Sequence, residues 1–242
     1  MPRPFQYHAI ENFPIEPKPR STWQTHTQLA LPEEEGDDSA HSTIKFVGHS
    51  IYNDYLKYHV HHETEKTSWL RVANMERRKA IFIEEFHIYL PPNSSYILVE
   101  TTAKNSRELL KRIKQKDSRF QYKLREVDLL AMKNQTQHVR GGWFRDLDIA
   151  DVSTAAIFGN NVGDSDEWER YETSGKLSSL VIEFSYQGEH HSVNISASGA
   201  ITLYSNYDEA SALALVEKFN DIAMKFQKEI DPRPRKDSKR IE

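Results

Sequence analysis

Residues 177–230, LSSLVIEFSYQGEHHSVNISASGAITLYSNYDEASALALVEKFNDIAMKFQKEI, decide the fold. Leu177–Tyr186 is rich in β-branched and aromatic residues, which suit a pleated, half-buried surface, and Gln187-Gly188-Glu189 follows as a turn. In His191–Ala197, Val193, Ile195 and Ala197 alternate with Ser192, Asn194 and Ser196, the two-residue period of a strand with one apolar face. Ser198-Gly199 is a second turn, where glycine takes positive φ without a Cβ clash. Ala200–Ser205 is then a third strand. Turns this short join antiparallel neighbours, so the three strands form a meander. The period next changes from two to between three and four, at Ala212, Leu215, Val216, Phe219, Ile222, Ala223, Phe226 and Ile230. That spacing predicts one helix over 208–230, capped by Asn206 or Asp208, with this stripe laid across the strands.

The same grammar occurs earlier. Ala80–Leu90 and Tyr96–Thr102 read as strands around the turn Pro91–Ser95, and Asn105 or Ser106 can cap a helix that turns Leu109, Leu110 and Ile113 inward. Tyr55–His62 adds a further strand pattern. Two meander-plus-helix units predict an α+β fold, a curved antiparallel sheet with packed helices, as a pseudo-repeat. The expected organisation is an extended Pro-rich and acidic arm over 1–41, α+β units over 42–140 and 141–230, and a basic disordered tail over 231–242. Five prolines among the first twenty residues and the run PEEEGDD at 32–38 set the arm apart.

The run NISASGAITLYSNYDEASALALVEKF resembles the end of a TATA-binding-protein repeat, in which a strand, a Ser-Gly turn and another strand lead into a helix on the back of a concave sheet. The resemblance covers residues 177–230 and implies architecture; it carries over no DNA-contacting residue.

Composition excludes several functions. None of the 242 residues is cysteine, which removes disulfide frameworks, thiolate zinc sites and cysteine nucleophiles. The first twenty residues lack a signal-peptide apolar core and no segment has the length and hydropathy of a membrane span, so a cytoplasmic protein without membrane partners is expected. No phosphate loop, dinucleotide fingerprint, nucleophile elbow or kinase set is present, and no cofactor is expected.

The net charge of −4 conceals a strong asymmetry. Between Lys104 and Arg125 lie Lys104, Arg107, Lys111, Arg112, Lys114, Lys116, Arg119, Lys123 and Arg125 against only Glu108 and Asp117, whereas 145–172 carries eight acids and two arginines. A cluster of this kind is the electrostatic footprint of phosphate-backbone binding, and the nine cations are the candidate nucleic-acid or partner-binding residues. The competing reading is a solvated helix face.

His59 and His61 share one face of a strand and could hold a metal if a third ligand came from Glu84, His87 or Asp148. An exposed strand of polar histidines is favoured, and no metal is expected. Gly141–Asp166 reads as a loop in which Trp143 and Phe144 anchor packing, and Asp146, Asp148 and Asp151 cap a short helix near 151–153 more readily than they bind magnesium. Two functions stay open. The favoured one is a non-catalytic binding or adaptor protein, of the kind found as accessory or host-defence components, engaging nucleic acid or an acidic protein surface. The alternative is a metal-dependent nuclease or hydrolase built from the histidine strand and the aspartate loop.

Overall fold

The structure, a computed structural model, describes residues 2–18, 22–24, 40–72, 75–93, 95–136 and 138–228, with side chains outside 66–79. The acidic run at 32–38, Ile230 and the basic tail lie outside the described residues. In chain order the elements are β1 (Arg3–Glu11), β2 (Thr22–Gln24), β3 (Ser42–His49), β4 (Leu56–Val72), β5 (Met75–Leu90), β6 (Tyr96–Val99), α1 (Ala103–Lys116), β7 (Gln121–Lys123), β8 (Glu126–Val127), α2 (Leu129–Asn134), β9 (Val139–Ile149), β10 (Val152–Phe158), α3 (Asp166–Ser174), β11 (Lys176–Tyr186), β12 (Glu189–Ser196), β13 (Ala200–Leu203), α4 (Glu209–Met224) and β14 (Gln227–Lys228). The fold is α+β, built on one large antiparallel sheet.

The sheet runs β10-β9-β11-β12-β13-β1-β6-β5-β4-β3-β2, with β7 paired to β1; β8 and β14 form a separate pair. Its centre is β1. Arg3–Gln6 faces Ala200–Leu203 on one side, and Gln6–Ala9 faces Tyr96–Val99 on the other. The segment expected as an arm therefore contains an extended strand whose backbone groups are shared between the two halves of the chain. No helix among the described residues is long and apolar enough to cross a membrane.

Alternation along β1 and β6 sends their side chains to two separate cores. Ile10, Ile97 and Val99 join Ile44, Tyr58, Val60, Phe86 and Ile88 beneath Leu109, Leu110 and Ile113 of α1. Phe5 and Leu98 point the other way, joining Ile195, Ile201 and Leu203 beneath Leu213, Val216 and Phe219 of α4. The two helices thus cover opposite faces of the sheet, and the pseudo-repeat is not confirmed. Beyond the N-terminus of α4, its face of β3–β5 carries polar side chains, among them His59, His61, Glu63 and His87.

The three expected strands of the last quarter form β11, β12 and β13 in consecutive antiparallel register. Asp208 is the cap of α4, its carboxylate accepting the Ser211 backbone N–H at 2.9 Å. Leu215 and Phe219 are buried as expected, and Ile222 is half-buried. The helix stops at Met224 instead of reaching 230. Lys225 and Phe226 N–H groups turn back onto Ile222 and Ala223, and Gln227-Lys228 pairs with Glu126-Val127. A strand partner supplied by tertiary structure overrides the continuing helical period.

The expected loop at 141–166 is largely the hairpin β9–β10. Gly141–Arg145 pairs with Thr154–Phe158. Asp151 caps no helix; it sits in the hairpin turn at φ +63°, a left-handed conformation that aspartate tolerates better than most residues. Phe144 does anchor packing, buried against Trp168 with ring centroids 5.0 Å apart, and Trp143 meets Phe158 edge-on at 4.7 Å. A side chain at Gly142 would stand 2.7 Å from the Trp168 ring, so glycine is what lets α3 approach the sheet.

Candidate anion-binding face and cleft

Helix α1 begins at Thr102, whose hydroxyl accepts the Asn105 N–H, and its buried Leu109, Leu110 and Ile113 fix which side faces outward. Lys104, Arg107 and Lys111 recur at three and four residues on the exposed side. Among the described residues none of the three forms an ion pair, nor does the exposed Lys123 of β7. Lys114 donates to the Gln121 amide oxygen at 2.9 Å and stands 5.9 Å from the Tyr122 ring centre. Lys116 bonds the Gln24 carbonyl and lies over Trp23.

The other expected cations are committed to the fold. Arg112 pairs with Glu108 at 2.5 Å and donates to the Ser42 hydroxyl at 3.0 Å. Arg119 pairs with Asp117 at 2.8 Å, although it remains exposed. Arg125 is buried, donating to the Asn220 amide oxygen with its guanidinium 5.6 Å from the Tyr7 ring centre. Burial pushes its pKa down to about 10, and among the described residues its Nε and Nη2 have no hydrogen-bond partner. Phe120, which interleaves with these cations, is fully buried in the α1 core and has no face open for stacking on a base.

Arg107 also opens onto a cleft of about 580 Å³ between α1, the β8–α2 segment and the start of β11. Arg145, Lys176 and Lys228 line it as well, opposite Glu126, Asp128 and Glu172. Most of these charges are already engaged. Lys228 meets Asp128 at 3.1 Å, Lys176 meets Asp146 at 3.4 Å, and Glu172 accepts the Trp168 indole N–H at 2.7 Å. The Ala131 N–H, ahead of the smaller raising effect of burial, holds Asp128 below the usual carboxylate range. Arg107 and Arg145 form no ion pair among the described residues. Nothing local in the sequence ties Arg145, Lys176 and Lys228 to Arg107; the β9–β11 pairing, which sets Lys176 opposite Arg145, and the β8–β14 pairing bring them together.

The histidine strand is β4, and alternation puts His59, His61 and Glu63 on one face. Of the expected third ligands, Glu84 points to the other face, where the Asn105 amide bonds it. His87 meets His59 edge-on with ring centroids 5.7 Å apart and turns Nδ1 toward Glu100 at 3.5 Å. Asp148 lies in β9, seven strand steps from β4, or roughly 34 Å along the sheet at about 4.8 Å per step. The sheet therefore does not bring the aspartate hairpin and the histidine strand into one catalytic centre.

The residue missed at this strand is His41. It precedes β3 and lies opposite Glu63, whose backbone N–H its carbonyl accepts at 2.9 Å. His41 Nδ1 is 2.8 Å from Glu63 Oε2, and His61 Nε2 is 3.3 Å from Glu63 Oε1. Burial raises the Glu63 pKa, but the His41 N–H and His61 outweigh it and hold the carboxyl below its ordinary value. On the α1 side, His62 and His8 are buried, bonded to Ser42 at 2.7 Å and Ser106 at 2.8 Å. Burial lowers both imidazoles to about 4.

Compared with known proteins, the chain matches no family model and no curated sequence.

Proposed function

We propose that this is a non-catalytic binding protein that engages the phosphate backbone of nucleic acid through the outer face of α1 and the adjoining cleft. The observation that supports it is the row Lys104, Arg107 and Lys111, exposed and unpaired among the described residues, running through Arg107 toward Arg145. Cations without internal partners lose little when they meet a phosphate, and the counterions they displace make binding favourable at low salt. Side chains that reach phosphates position a duplex without reading its bases, so affinity should vary little with sequence.

Four such contacts, Arg145 of the cleft included, predict a loss of affinity of about 100-fold between 50 and 200 mM salt. Reversal of Lys104, Arg107 and Lys111 to glutamate should weaken binding across unrelated sequences alike and reduce the slope of log K against log salt by about 3. Fluorescence anisotropy with labelled duplex and single-stranded oligonucleotides measures both. Absence of binding at low salt, or an unchanged slope in the triple variant, would overturn the proposal and return these cations to a solvated helix face.

A further inference from the structure

We propose that His41, His61 and Glu63 form a binding site for a borderline divalent metal ion such as zinc, at the base of the β4–β5 ribbon. The geometry follows from strand pairing. His61 and Glu63 are two apart on β4 and share a face, while His41 lies opposite Glu63 on the neighbouring strand, close enough for their side chains to meet. One ligand atom from each of the three lies within 4.8 Å of the others. Ligands about 2.1 Å from a tetrahedral zinc stand roughly 3.4 Å apart, so small rotations of the three side chains would bring them to that spacing.

A second feature points the same way. Nitrogen and oxygen ligands of this mixture suit zinc and its first-row neighbours better than magnesium or calcium, which prefer oxygen alone. A metal-ligating imidazole ordinarily gives its other N–H to a carboxylate. His61 is oriented for it: Nε2 faces Glu63, and Nδ1 points toward Glu85 Oε1, 3.6 Å away on the strand paired to its other side. Glu63 is the sheltered member at 12% side-chain exposure, while His41 and His61 are 40% and 32% exposed. An ion here would have three protein ligands and a solvent-facing position open to water or to a donor from another molecule. The site is independent of the α1 face, since it lies on the opposite side of the sheet.

The full chain, stripped by chelator and dialysed, should bind one zinc ion per molecule in calorimetric titration with zinc chloride, and should not respond to magnesium at the same concentrations. His41→Ala, His61→Ala and Glu63→Gln should each weaken zinc binding at least tenfold, and Glu85→Gln by about tenfold. His87→Ala, on the same face but outside the triad, should leave it unchanged. X-ray absorption of the zinc-loaded wild type supplies a readout independent of any variant and should show two imidazoles with oxygen ligands. Lack of zinc binding, unaltered affinity in His61→Ala, equal loss in His87→Ala, or a ligand shell with fewer than two imidazoles would each overturn the assignment.

Discussion

His8 and His62 show how one buried ring can set the response of a whole fold to acid. In the folded chain both titrate near 4, because burial disfavours the imidazolium, whereas an exposed histidine titrates near 6.5. Between these values the unfolded chain takes up protons that the folded chain refuses, so stability is complete above about pH 6.5 and falls as pH drops toward 4. Each ring accounts for about 3 kcal/mol over that window, since every pH unit between the two values contributes about 1.4 kcal/mol. Urea midpoints measured from pH 7 to 4 should therefore decline, and His62→Gln should flatten the decline by about half. A profile with the same slope in the variant would place the acid sensitivity elsewhere. Phe219 tests packing in the opposite core. It is fully buried and lies 5.4 Å from the Phe184 ring, so Phe219→Ala should cost about 3–5 kcal/mol in the same assay.

At the scale of elements, the sequence was legible wherever a period ran unbroken into a local cap or turn. The β11–β13 meander, the Asp208 cap and the buried Leu109, Leu110 and Ile113 are all local statements, and the structure agrees with each. Three kinds of information were not local. The helical stripe of α4 continued past Met224, but a partner about a hundred residues away pulled Gln227 into strand pairing. The aspartates near 146–151 suited a cap until Thr154–Phe158 paired back onto Gly141–Arg145. Charge density over 104–125 located the basic helix but not which cations it leaves free. Arg112 and Arg125 match Lys111 and Lys123 in composition, yet one is bonded to Glu108 and Ser42 and the other is buried against Asn220. His41 was invisible for a related reason: a lone histidine gains meaning only from the strand that sets it opposite Glu63.

At the scale of the molecule, β1 joins the halves, and Gln6 is the residue paired on both sides, with Ala200 and with Val99. Proline there would remove a central ladder donor and clash with its neighbours, which is why proline is confined to edge strands and bulges. Gln6→Pro should therefore abolish native structure in both halves together, with tryptophan fluorescence and far-ultraviolet circular dichroism lost in one transition. A variant that kept one half folded would show that the sheet is divisible at β1. The same placement has a consequence for synthesis on the ribosome. Strand β1 acquires its β6 partner once residue 99 has emerged, but its β13 partner is about a hundred residues further on. At about 5–20 residues per second, the nascent chain holds an open strand edge for about 5–20 s. Through that interval the growing chain is a half-finished sheet whose edge can pair with any neighbouring strand, and speed of translation becomes a determinant of how much of it is completed correctly.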